Sequence, residues 1–301
     1  MKICVTGSSG FIGRHTVKRL AEDHKIISID KHGSNSFGFT DNVYHTVGDI
    51  TDPRFVVSVF ERDPPDAVLH LAANSSLQKS VTDALFDANQ NVIGTLVVVG
   101  AAAKFKCKRF VFASTSAVYG PRSFGAYTEQ DTVNPQVPYG ISKAAGEMYV
   151  KASGLSYAIL RYGNVYGPGQ KPLGENILVA RALAHMIDGE PFNINGDGEQ
   201  LRDWIYVDDV ADANITALLS DVSGTFNIST GAGSSVNDII ALLRRLVKTM
   251  EPIKHGPPKP GELREVIMDS HDAQIMLGWR PKTQLTEGLK KTYEEWNGSD
   301  T

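Results

Sequence analysis

Cysteine, long apolar runs and clusters of basic residues are scarce in this sequence. Its 301 residues include 2 cysteines, Cys4 and Cys107, both beside apolar strand-like runs, which excludes a disulfide framework and indicates a reducing, cytoplasmic location. The longest apolar stretch, Val92 to Ala103, is too short to span a bilayer, and Met1 opens directly into a strand. We therefore expect neither a signal peptide nor a membrane partner.

Charge and histidine content exclude further classes of protein. A formal net charge of -4 without any long basic run predicts that nucleic acid is not a partner. The 8 histidines are scattered, and no group of cysteine and histidine has metal-site spacing, so no metal is expected. With 42% hydrophobic and 21% charged residues, the composition is that of a globular enzyme with one large or two modest domains.

The N-terminal residues predict a dinucleotide-binding turn. A short apolar strand runs into a turn with the spacing G-x-x-G-x-x-G, and an amphipathic helix follows. Gly7 permits the tight turn, Gly10 lets the main chain approach a pyrophosphate, and Gly13 allows close packing of the helix. Because strand, turn and helix occur in this order, the alternative of an ordinary glycine turn is disfavoured.

The next strand predicts which dinucleotide binds. It ends in Asp30, twenty residues after Gly10. A carboxylate there accepts hydrogen bonds from the adenosine ribose hydroxyls and repels a 2′-phosphate. NAD is therefore predicted over NADP, although Lys31 and His32 follow directly and could soften that preference.

Tyr139 and Lys143 are four residues apart at the start of a predicted helix. At that spacing their side chains lie on one face of the helix. A neighbouring ammonium favours the phenolate and lowers the pKa of a phenol, so the pair can donate and accept a proton. For this spacing alone, a surface tyrosine beside a solvated lysine is the alternative.

Four motifs follow one another along the chain: the glycine turn, Ser114-Thr115-Ser116, Tyr139-x-x-x-Lys143 and RYGNVYGP at 161–168. Together they resemble the extended short-chain dehydrogenase/reductase superfamily, most closely its UDP-glucose 4-epimerase-like branch, over nearly the whole chain. The resemblance implies an α/β fold, a doubly wound (Rossmann) parallel sheet with a smaller C-terminal α/β substrate domain. Glycine- and proline-rich loops after Arg161 place the NAD-binding domain at 1–166, with 200–222 packing back on it, and the nucleotide-sugar domain at 167–301.

The resemblance also implies the residues that bind NAD. Asp49 would bind the exocyclic amine of adenine and Ile50 would cover the ring, although a surface turn is equally compatible with these two residues. Asn91 would support the nicotinamide side, whereas His70 is expected to face the core. The complete predicted set is Gly7, Gly10, Phe11, Ile12, Gly13, Asp30, Lys31, Asp49, Ile50, Leu71, Ala72, Ala73, Asn91, Ser114, Tyr139, Lys143 and Tyr162.

The predicted catalytic residues are Thr115, Tyr139 and Lys143. Tyr139 would take the proton of the sugar C4 hydroxyl while a hydride passes to NAD, giving a 4-keto intermediate. Lys143 would bind the nicotinamide ribose and lower the pKa of Tyr139. The keto sugar would then turn over and accept the hydride on its other face, so that NAD stays bound.

The choice of Thr115 as the catalytic hydroxyl leaves its neighbours open. Aligning the family motif on Val118-Tyr119-Gly120 favours Thr115 as the catalytic hydroxyl. Aligning it by the spacing to Tyr139 also permits Ser114, and Ser116 is the next residue. Ser116 and Ala117 stand where 4,6-dehydratase relatives carry an Asp-Glu pair. Dehydration is therefore disfavoured.

The resemblance places the UDP-sugar on both domains. Arg202, after a glycine turn, suits bidentate capture of a diphosphate, and a second cation would be Arg264 or Lys259. Asn176 is alternatively a helix N-cap. The full predicted set is Thr115, Ser116, Tyr139, Asn164, Asn176, Phe192, Asn193, Arg202 and Arg264.

Several alternatives remain at this stage. Val266 falls where some epimerases carry a bulky tyrosine that excludes 2-acetamido sugars, so a UDP-N-acetylhexosamine is an alternative substrate. A UDP-uronic acid 4-epimerase, a nucleotide-sugar reductase or dehydrogenase and, remotely, a non-catalytic dinucleotide sensor are the other candidates. The helix from Ala84 to Ala103 and the helix of Tyr139 would form a homodimer bundle, unless their apolar side chains pack on the sheet instead.

Overall fold

The computed structural model describes residues 1–33, 41–122, 125–172, 177–258 and 262–298. The strands are β1 Lys2–Thr6, β2 Lys25–Asp30, β3 Val43–Val47, β4 Ala67–His70, β5 Arg109–Thr115, β6 Tyr157–Tyr162, β7 Asn164–Tyr166, β8 Phe192–Asn195, β9 Leu201–Tyr206, β10 Gly224–Ile228, β11 Gly233–Ser235, β12 Ile253–Gly256 and β13 Glu265–Val266. The α-helices are α1 Phe11–Leu20, α2 Pro53–Arg62, α3 Leu77–Thr82, α4 Ala84–Ala88, α5 Gly94–Lys104, α6 Pro138–Ala152, α7 Leu178–Ile187, α8 Val207–Leu219, α9 Val236–Val247 and α10 Leu285–Gly298.

A parallel seven-stranded sheet in the order β10-β6-β5-β4-β1-β2-β3 forms the centre of the larger lobe. Its strands are apolar on both faces because helices cover both. Ile3 and Val5 pack with Val17 of α1 on one face, whereas Cys4 packs with Val56 of α2 on the other. The predicted doubly wound fold is confirmed.

The strand order reverses between β1 and β4. β2 and β3 extend the sheet on one side of β1, and the chain then crosses to β4 on the other side. Ligands of doubly wound sheets bind outside the carboxyl ends of the strands at such a reversal. Gly7 follows β1 and Leu71 follows β4, so both lie at this point.

The second lobe has a core of its own. Tyr166, Leu183, Trp204 and Leu243 are buried together, which joins β7 and β9 to α7 and α9. β9 pairs with β7, β11 and β13, and β8 pairs with β12. A capping box between Ser235 and Asp238 starts α9.

The chain returns to the large sheet before it ends. α8 packs against α1, and β10 pairs in parallel with β6 at the edge of the sheet. Of the C-terminal half, only 200–222 was predicted to pack on the first domain. In the structure, the segment that packs on the large sheet reaches residue 228. β9, at 201–206, lies in the small sheet of the second lobe instead.

The helical segment Ala84–Lys104 is longer than its apolar run indicated. α4 and α5 are joined by a π-helical turn, Asn89–Ile93, into one helix that is long and apolar enough to cross a membrane. Val98 and Ala102 in its second half are fully buried against the large sheet. The second half of the helix therefore packs on the large sheet, whereas Leu85 in its first half is exposed.

Candidate active site

The glycine turn after β1 is shaped to receive a phosphate group. Gly7 has a φ of +69°, and a Cβ there would lie 2.6 Å from the main-chain nitrogen of Ala72. A Cβ on Gly13 would lie 2.2 Å from the carbonyl oxygen of Gly7. Gly10 is the N-cap of α1 and supplies no capping side chain. The first N–H groups of α1, from Phe11 to Gly13, therefore have no side-chain acceptor and suit a pyrophosphate.

Asp30 lies beside this turn at the end of β2. Its Oδ2 accepts a hydrogen bond from the Ser9 N–H at 3.0 Å, and its Oδ1 accepts one from the His32 N–H at 3.1 Å. The hydroxyl of Ser9 is buried and has no hydrogen-bond partner among the described residues. The Asp30 carboxylate and this unpaired hydroxyl fit a polyhydroxylated group such as the ribose of NAD.

Lys31 turns away from Asp30 toward the far rim of the site. Its Nζ lies 3.0 Å from Oδ2 of Asp49 and 2.5 Å from Oε1 of Gln90. Because Asp49 balances its charge, Lys31 does not present a free cation for a 2′-phosphate. Ile50 is buried, and it lies so close to Gly94 that a Cβ there would be 2.6 Å from its Cδ1.

The end of β4 closes the crevice opposite the glycine turn. The N–H groups of Leu71 and Ala72 donate to the carbonyl and hydroxyl oxygens of Thr6, at 3.1 and 3.3 Å. Ala73 follows directly and is exposed. His70 is fully buried, as expected of a core-facing residue, with hydroxyl oxygens of Thr6 and Thr95 2.7 and 3.1 Å from its ring nitrogens.

Tyr139 and Thr115 lie together at the centre of the site, where α6 packs against β5. Thr115 is the last residue of β5, and Tyr139 is the second residue of α6. Burial raises the pKa of Tyr139 to about 12, the hydrogen bond with Thr115 lowers it, and the charge of Asp87 raises it. Of the three candidate hydroxyls, that of Thr115 is the one that lowers the pKa of the phenol.

The pKa of Tyr139 is raised in this structure rather than lowered as expected, because burial is its largest influence. The Lys143 ammonium is buried over the ring of Phe112, 4.3 Å from its centroid. Burial lowers the pKa of Lys143 to about 8, while Glu147 and Asp87 raise it. Burial is thus the largest effect on the pKa of both Tyr139 and Lys143.

Ser114 and Ser116 differ from Thr115 in what they contact. The hydroxyl of Ser114 is buried and donates to Oε1 of Glu147 at 2.5 Å, so without breaking that bond it could bind a cofactor only as an acceptor. Ser116 begins a 3₁₀ turn, Ser116–Val118, and is half-buried.

Asn91 lies in the π-helical turn and is 1% exposed. Its Oδ1 accepts from the Asn74 N–H at 2.7 Å, and its Nδ2 lies 3.0 Å from Ser142 Oγ and 3.0 Å from Asp87 Oδ1. The amide predicted to support the nicotinamide thus joins the loop after β4 to the helix of Tyr139.

Tyr162 and Asn164 lie where the large sheet passes into the second lobe. The Tyr162 hydroxyl is buried and donates to Asn214 Oδ1 at 2.6 Å. Asn164 begins β7, pairs with Trp204 and is half-buried. Tyr162 therefore uses its hydroxyl within the protein, whereas Asn164 keeps an accessible side chain.

Phe192 was predicted to lie beside the nucleotide base, but the structure places its side chain elsewhere. Phe192 is 2% exposed and packs inside the second lobe, with its ring 5.5 Å from that of His185. The side chains of β8 alternate, so Asn193 is exposed and remains accessible to a ligand. Asn176, Lys259, Pro260 and Gly261 lie outside the described residues.

Two arginines flank a cleft of about 390 Å³ in the second lobe. Arg264 lines the cleft and makes a two-point contact with Asp197, at 2.7 and 2.9 Å. Arg202 is more buried and donates to Oε1 of Glu262 at 2.9 Å. The predicted phosphate-binding cations are thus held by carboxylates, Arg202 by Glu262 and Arg264 by Asp197.

Among the buried charged side chains that were not predicted for the site are Asp87, Glu147 and Arg161. Asp87 and Glu147 each stand four residues from a predicted site residue, Asn91 and Lys143, which puts both on the site-facing side of their helices. That four-residue spacing is the feature of the sequence that could have identified Asp87 and Glu147 as site residues. Within the described residues, no group of three or more metal-ligating side chains is placed to hold a metal ion.

Comparison with known proteins gives a consistent result. The model of the NAD dependent epimerase/dehydratase family matches residues 3–229. The chain is 35% identical to a putative UDP-glucose 4-epimerase of Methanocaldococcus jannaschii, covering 96% of each chain. It superposes on the UDP-glucose 4-epimerase of Thermotoga maritima with UDP-glucose, with a TM-score of 0.96, 38% identity and 100% coverage of both chains. The Thermus thermophilus UDP-glucose 4-epimerase complex with NAD gives a TM-score of 0.93 and 33% identity, over 99% of this chain and 100% of that one.

Proposed function

The chain belongs to the NAD dependent epimerase/dehydratase family, and we propose that the protein is an NAD-retaining enzyme that inverts C4 of a UDP-sugar, interconverting UDP-galactose and UDP-glucose. The observation that carries this proposal is the placement of Tyr139 beside Thr115, where α6 packs against β5. The pair lies at the carboxyl end of β5 with Lys143 one helical turn away. A proton donor and acceptor thus lies at the sheet edge where the cofactor binds.

NAD is the cofactor, and the site fits it. The turn from Gly7 to Gly13 would hold the pyrophosphate, and Asp30 would hold the adenosine ribose. Bound NAD supplies a reversible two-electron acceptor for C4. Asp49 balances the charge of Lys31, which favours NAD over its 2′-phosphorylated form.

Tyr139 moves the proton in this proposal. Its phenolate takes the proton of the C4 hydroxyl, and Thr115 hydrogen-bonds the same oxygen and fixes its distance from the phenol. With a pKa of about 12 the phenol is neutral at pH 7, so formation of the phenolate needs a nearby positive charge. Lys143, on the same face of α6, is the cation that this chain provides.

Inversion requires that both faces of C4 reach the same site. The 4-keto sugar must turn over while the rest of the molecule stays bound, so the anchor has to lie away from C4. Arg202 and Arg264 suit that role because a diphosphate can replace Glu262 and Asp197 as their partner. C4 would then take back its hydride on the opposite face, while Tyr139 returns the proton to the C4 oxygen.

A UDP-N-acetylhexosamine is the second candidate substrate. Val266 pairs with Arg202 across β13 and β9, which puts a small side chain next to the proposed diphosphate anchor. A 2-acetamido group needs space that a larger residue there would take.

A homodimer is part of the proposal. The helix Ala84–Lys104 and α6 pack side by side and carry exposed apolar side chains, including Leu85 at 82%, Met148 at 65% and Ile141 at 55%. Two such faces from two copies would cover each other. Light scattering should give twice the mass of one chain, and a monomer at micromolar concentration would contradict this arrangement.

We also propose a cytoplasmic location without membrane association. Cys4 and Cys107 are both free and buried, which suits a reducing compartment. Cell fractionation tests it, and recovery of the protein in a membrane pellet would contradict it.

The decisive experiment incubates the purified protein with UDP-galactose without added cofactor and separates the products by chromatography. UDP-glucose should appear without accumulation of NADH, and Tyr139→Phe should lower kcat at least about a hundredfold. UDP-N-acetylgalactosamine, assayed in parallel, tests the second candidate. If no UDP-sugar reacts even with added NAD, the proposal fails.

A further inference from the structure

Asp87 is a buried carboxylate beside Tyr139 and Lys143, and the proposed mechanism does not use it. It lies near the end of α4 and is 1% exposed. Its Oδ1 accepts hydrogen bonds from the side-chain amides of Asn74 at 2.7 Å and Asn91 at 3.0 Å. Its Oδ2 is buried without a hydrogen-bond partner among the described residues. A buried carboxylate in this state is costly, so its presence requires a compensating role.

A chain of polar contacts joins this carboxylate to the main chain of Tyr139. Nδ2 of Asn91 lies within hydrogen-bond distance of both Asp87 Oδ1 and Ser142 Oγ, at 3.0 Å each. The hydroxyl of Ser142 in turn donates to the carbonyl oxygen of Tyr139 at 3.0 Å. The π-helical turn Asn89–Ile93 directly follows α4 and carries Asn91 into this position. Asp87 is therefore tied to the first turn of α6.

The other titratable groups near Tyr139 and Lys143 do not supply an unbalanced negative charge as Asp87 does. The Glu147 carboxylate is held by Arg161, at 2.9 and 2.7 Å, so its charge is balanced. His70 on β4 is uncharged at pH 7 because burial and the charge of Lys143 lower its pKa to about 3. Tyr162 on β6 is neutral because burial raises its pKa. Among the described residues facing the pair, Asp87 alone is a carboxylate without a cationic hydrogen-bond partner.

The charge of Asp87 acts on both members of the pair. It adds to the effect of burial in raising the pKa of Tyr139. It also raises the pKa of Lys143, which burial lowers to about 8. These effects oppose each other in function, because a lysine that stays protonated favours the phenolate while a nearby negative charge disfavours it.

We infer that Asp87 is a positioning residue for the reaction proposed above: its carboxylate keeps Lys143 in the ammonium form and, through Asn91 and Ser142, holds the first turn of α6 against α4. The effect of Asp87 on catalysis depends on the proposed function being correct. The electrostatic part concerns this chain alone and can be measured without turnover. The negative charge thus sets the pH range in which Tyr139 is ionised and Lys143 is protonated at the same time.

The test compares Asp87→Asn with Asp83→Asn. Asp83 lies four residues earlier, at the exposed N-cap of α4, and asparagine keeps its capping role. In Asp87→Asn both limbs of the kcat/KM profile should move to lower pH by about half a unit or more, since removing the charge lowers both pKa values. In Asp83→Asn the limbs should stay in place. Asp87→Glu, which restores the charge, should return the limbs even if kcat falls.

A merely structural role would give a different result. Asp87→Asn would then lower kcat at every pH and leave both limbs in place, which would overturn the inference. A second readout uses tyrosine labelled with carbon-13 at Cζ, with the Tyr139 resonance assigned from Tyr139→Phe. At the highest pH at which the fold persists, the ionised fraction of Tyr139 should be larger in Asp87→Asn than in the parent.

The two readouts separate failure of the inference from failure of the proposed function. If no UDP-sugar reacts but the ionised fraction of Tyr139 rises in Asp87→Asn, the proposed function fails and the electrostatic assignment stands. If the sugar reacts while the limbs and the ionised fractions match those of the parent, the role of Asp87 is refuted and the proposed function survives.

Discussion

The carboxylate of Glu147 and the guanidinium of Arg161 make a two-point contact, with N–O distances of 2.9 and 2.7 Å, deep between α6 and β6. Neither side chain is more than 3% exposed. Ser114 donates to the same carboxylate, and the Tyr119 hydroxyl accepts from Arg161 at 2.9 Å. Since Glu147 lies one turn after Lys143, this contact anchors the catalytic helix to the large sheet.

Loss of the Glu147 charge should therefore destabilise the protein strongly. Glu147→Gln leaves the Arg161 guanidinium buried without its counter-charge, and we expect the free energy of unfolding to fall by about 3 kcal/mol or more. Urea unfolding followed by circular dichroism measures the change. Glu190→Gln, at an exposed carboxylate, should alter it by less than about 0.5 kcal/mol. Equal stability of the two variants would contradict the anchoring role.

Lys143 is expected to lower stability while serving activity. Its pKa falls from 10.5 to about 8 in the folded protein, so the unfolded chain binds the proton more tightly. The penalty is complete below pH 8 and is relieved as the pH rises from 8 to 10.5. Lys143→Met should thus raise the free energy of unfolding at pH 7, by on the order of 3 kcal/mol, while abolishing turnover.

Unfolding at two pH values checks this prediction. The gain in Lys143→Met should be large at pH 7 and smaller at pH 9.5. Lys151→Met, two turns along the same helix and exposed at 43%, should change stability little at either pH. A gain independent of pH would mean that the methionine acts through packing rather than through the buried charge.

Cofactor preference should depend on Asp49 as well as Asp30. Asp49 holds the Lys31 ammonium at 3.0 Å, and Asp49→Asn would leave that cation available to a 2′-phosphate. We expect the ratio of the Kd for NADP to the Kd for NAD to fall about tenfold. Calorimetric titration of cofactor-free protein measures both constants. Asp52→Asn, at the nearby N-cap of α2, should leave the ratio unchanged.

Arg202 should matter for substrate binding more through geometry than through charge. Arg202→Lys keeps the charge but loses the planar fork that binds a diphosphate at two points. We expect KM for the UDP-sugar to rise about tenfold with a smaller change in kcat. Arg245→Lys, on the exposed side of α9, is the control. An unchanged KM for Arg202→Lys would remove Arg202 from the proposed anchor.

Local patterns account for what the sequence analysis predicted correctly. The doubly wound sheet, the family and the NAD cofactor are confirmed. Gly7, Gly13 and the pair Tyr139 and Lys143 follow from spacings of a few residues, which the chain geometry enforces directly. The binding roles of the individual site residues remain predictions.

The remaining differences depend on contacts between distant residues. Phe192 was predicted to bind the UDP-sugar, but alternation along β8 puts its side chain in the core. The pKa of Tyr139 depends on how deeply α4 and α6 bury it, which the four-residue spacing to Lys143 does not report. β10 is five residues long, and its place beside β6 depends on the return of the chain from the second lobe, which a local pattern does not report.

The late arrival of β10 has a consequence for synthesis on the ribosome. When residues 1–166 have emerged, β6 is an open sheet edge, and the apolar side chains that α8 covers in the finished protein are exposed. Such an edge pairs readily with other chains, so the nascent protein passes through an interval in which it needs shielding by a chaperone. We therefore expect the two lobes to fold together. A chain truncated between them should aggregate.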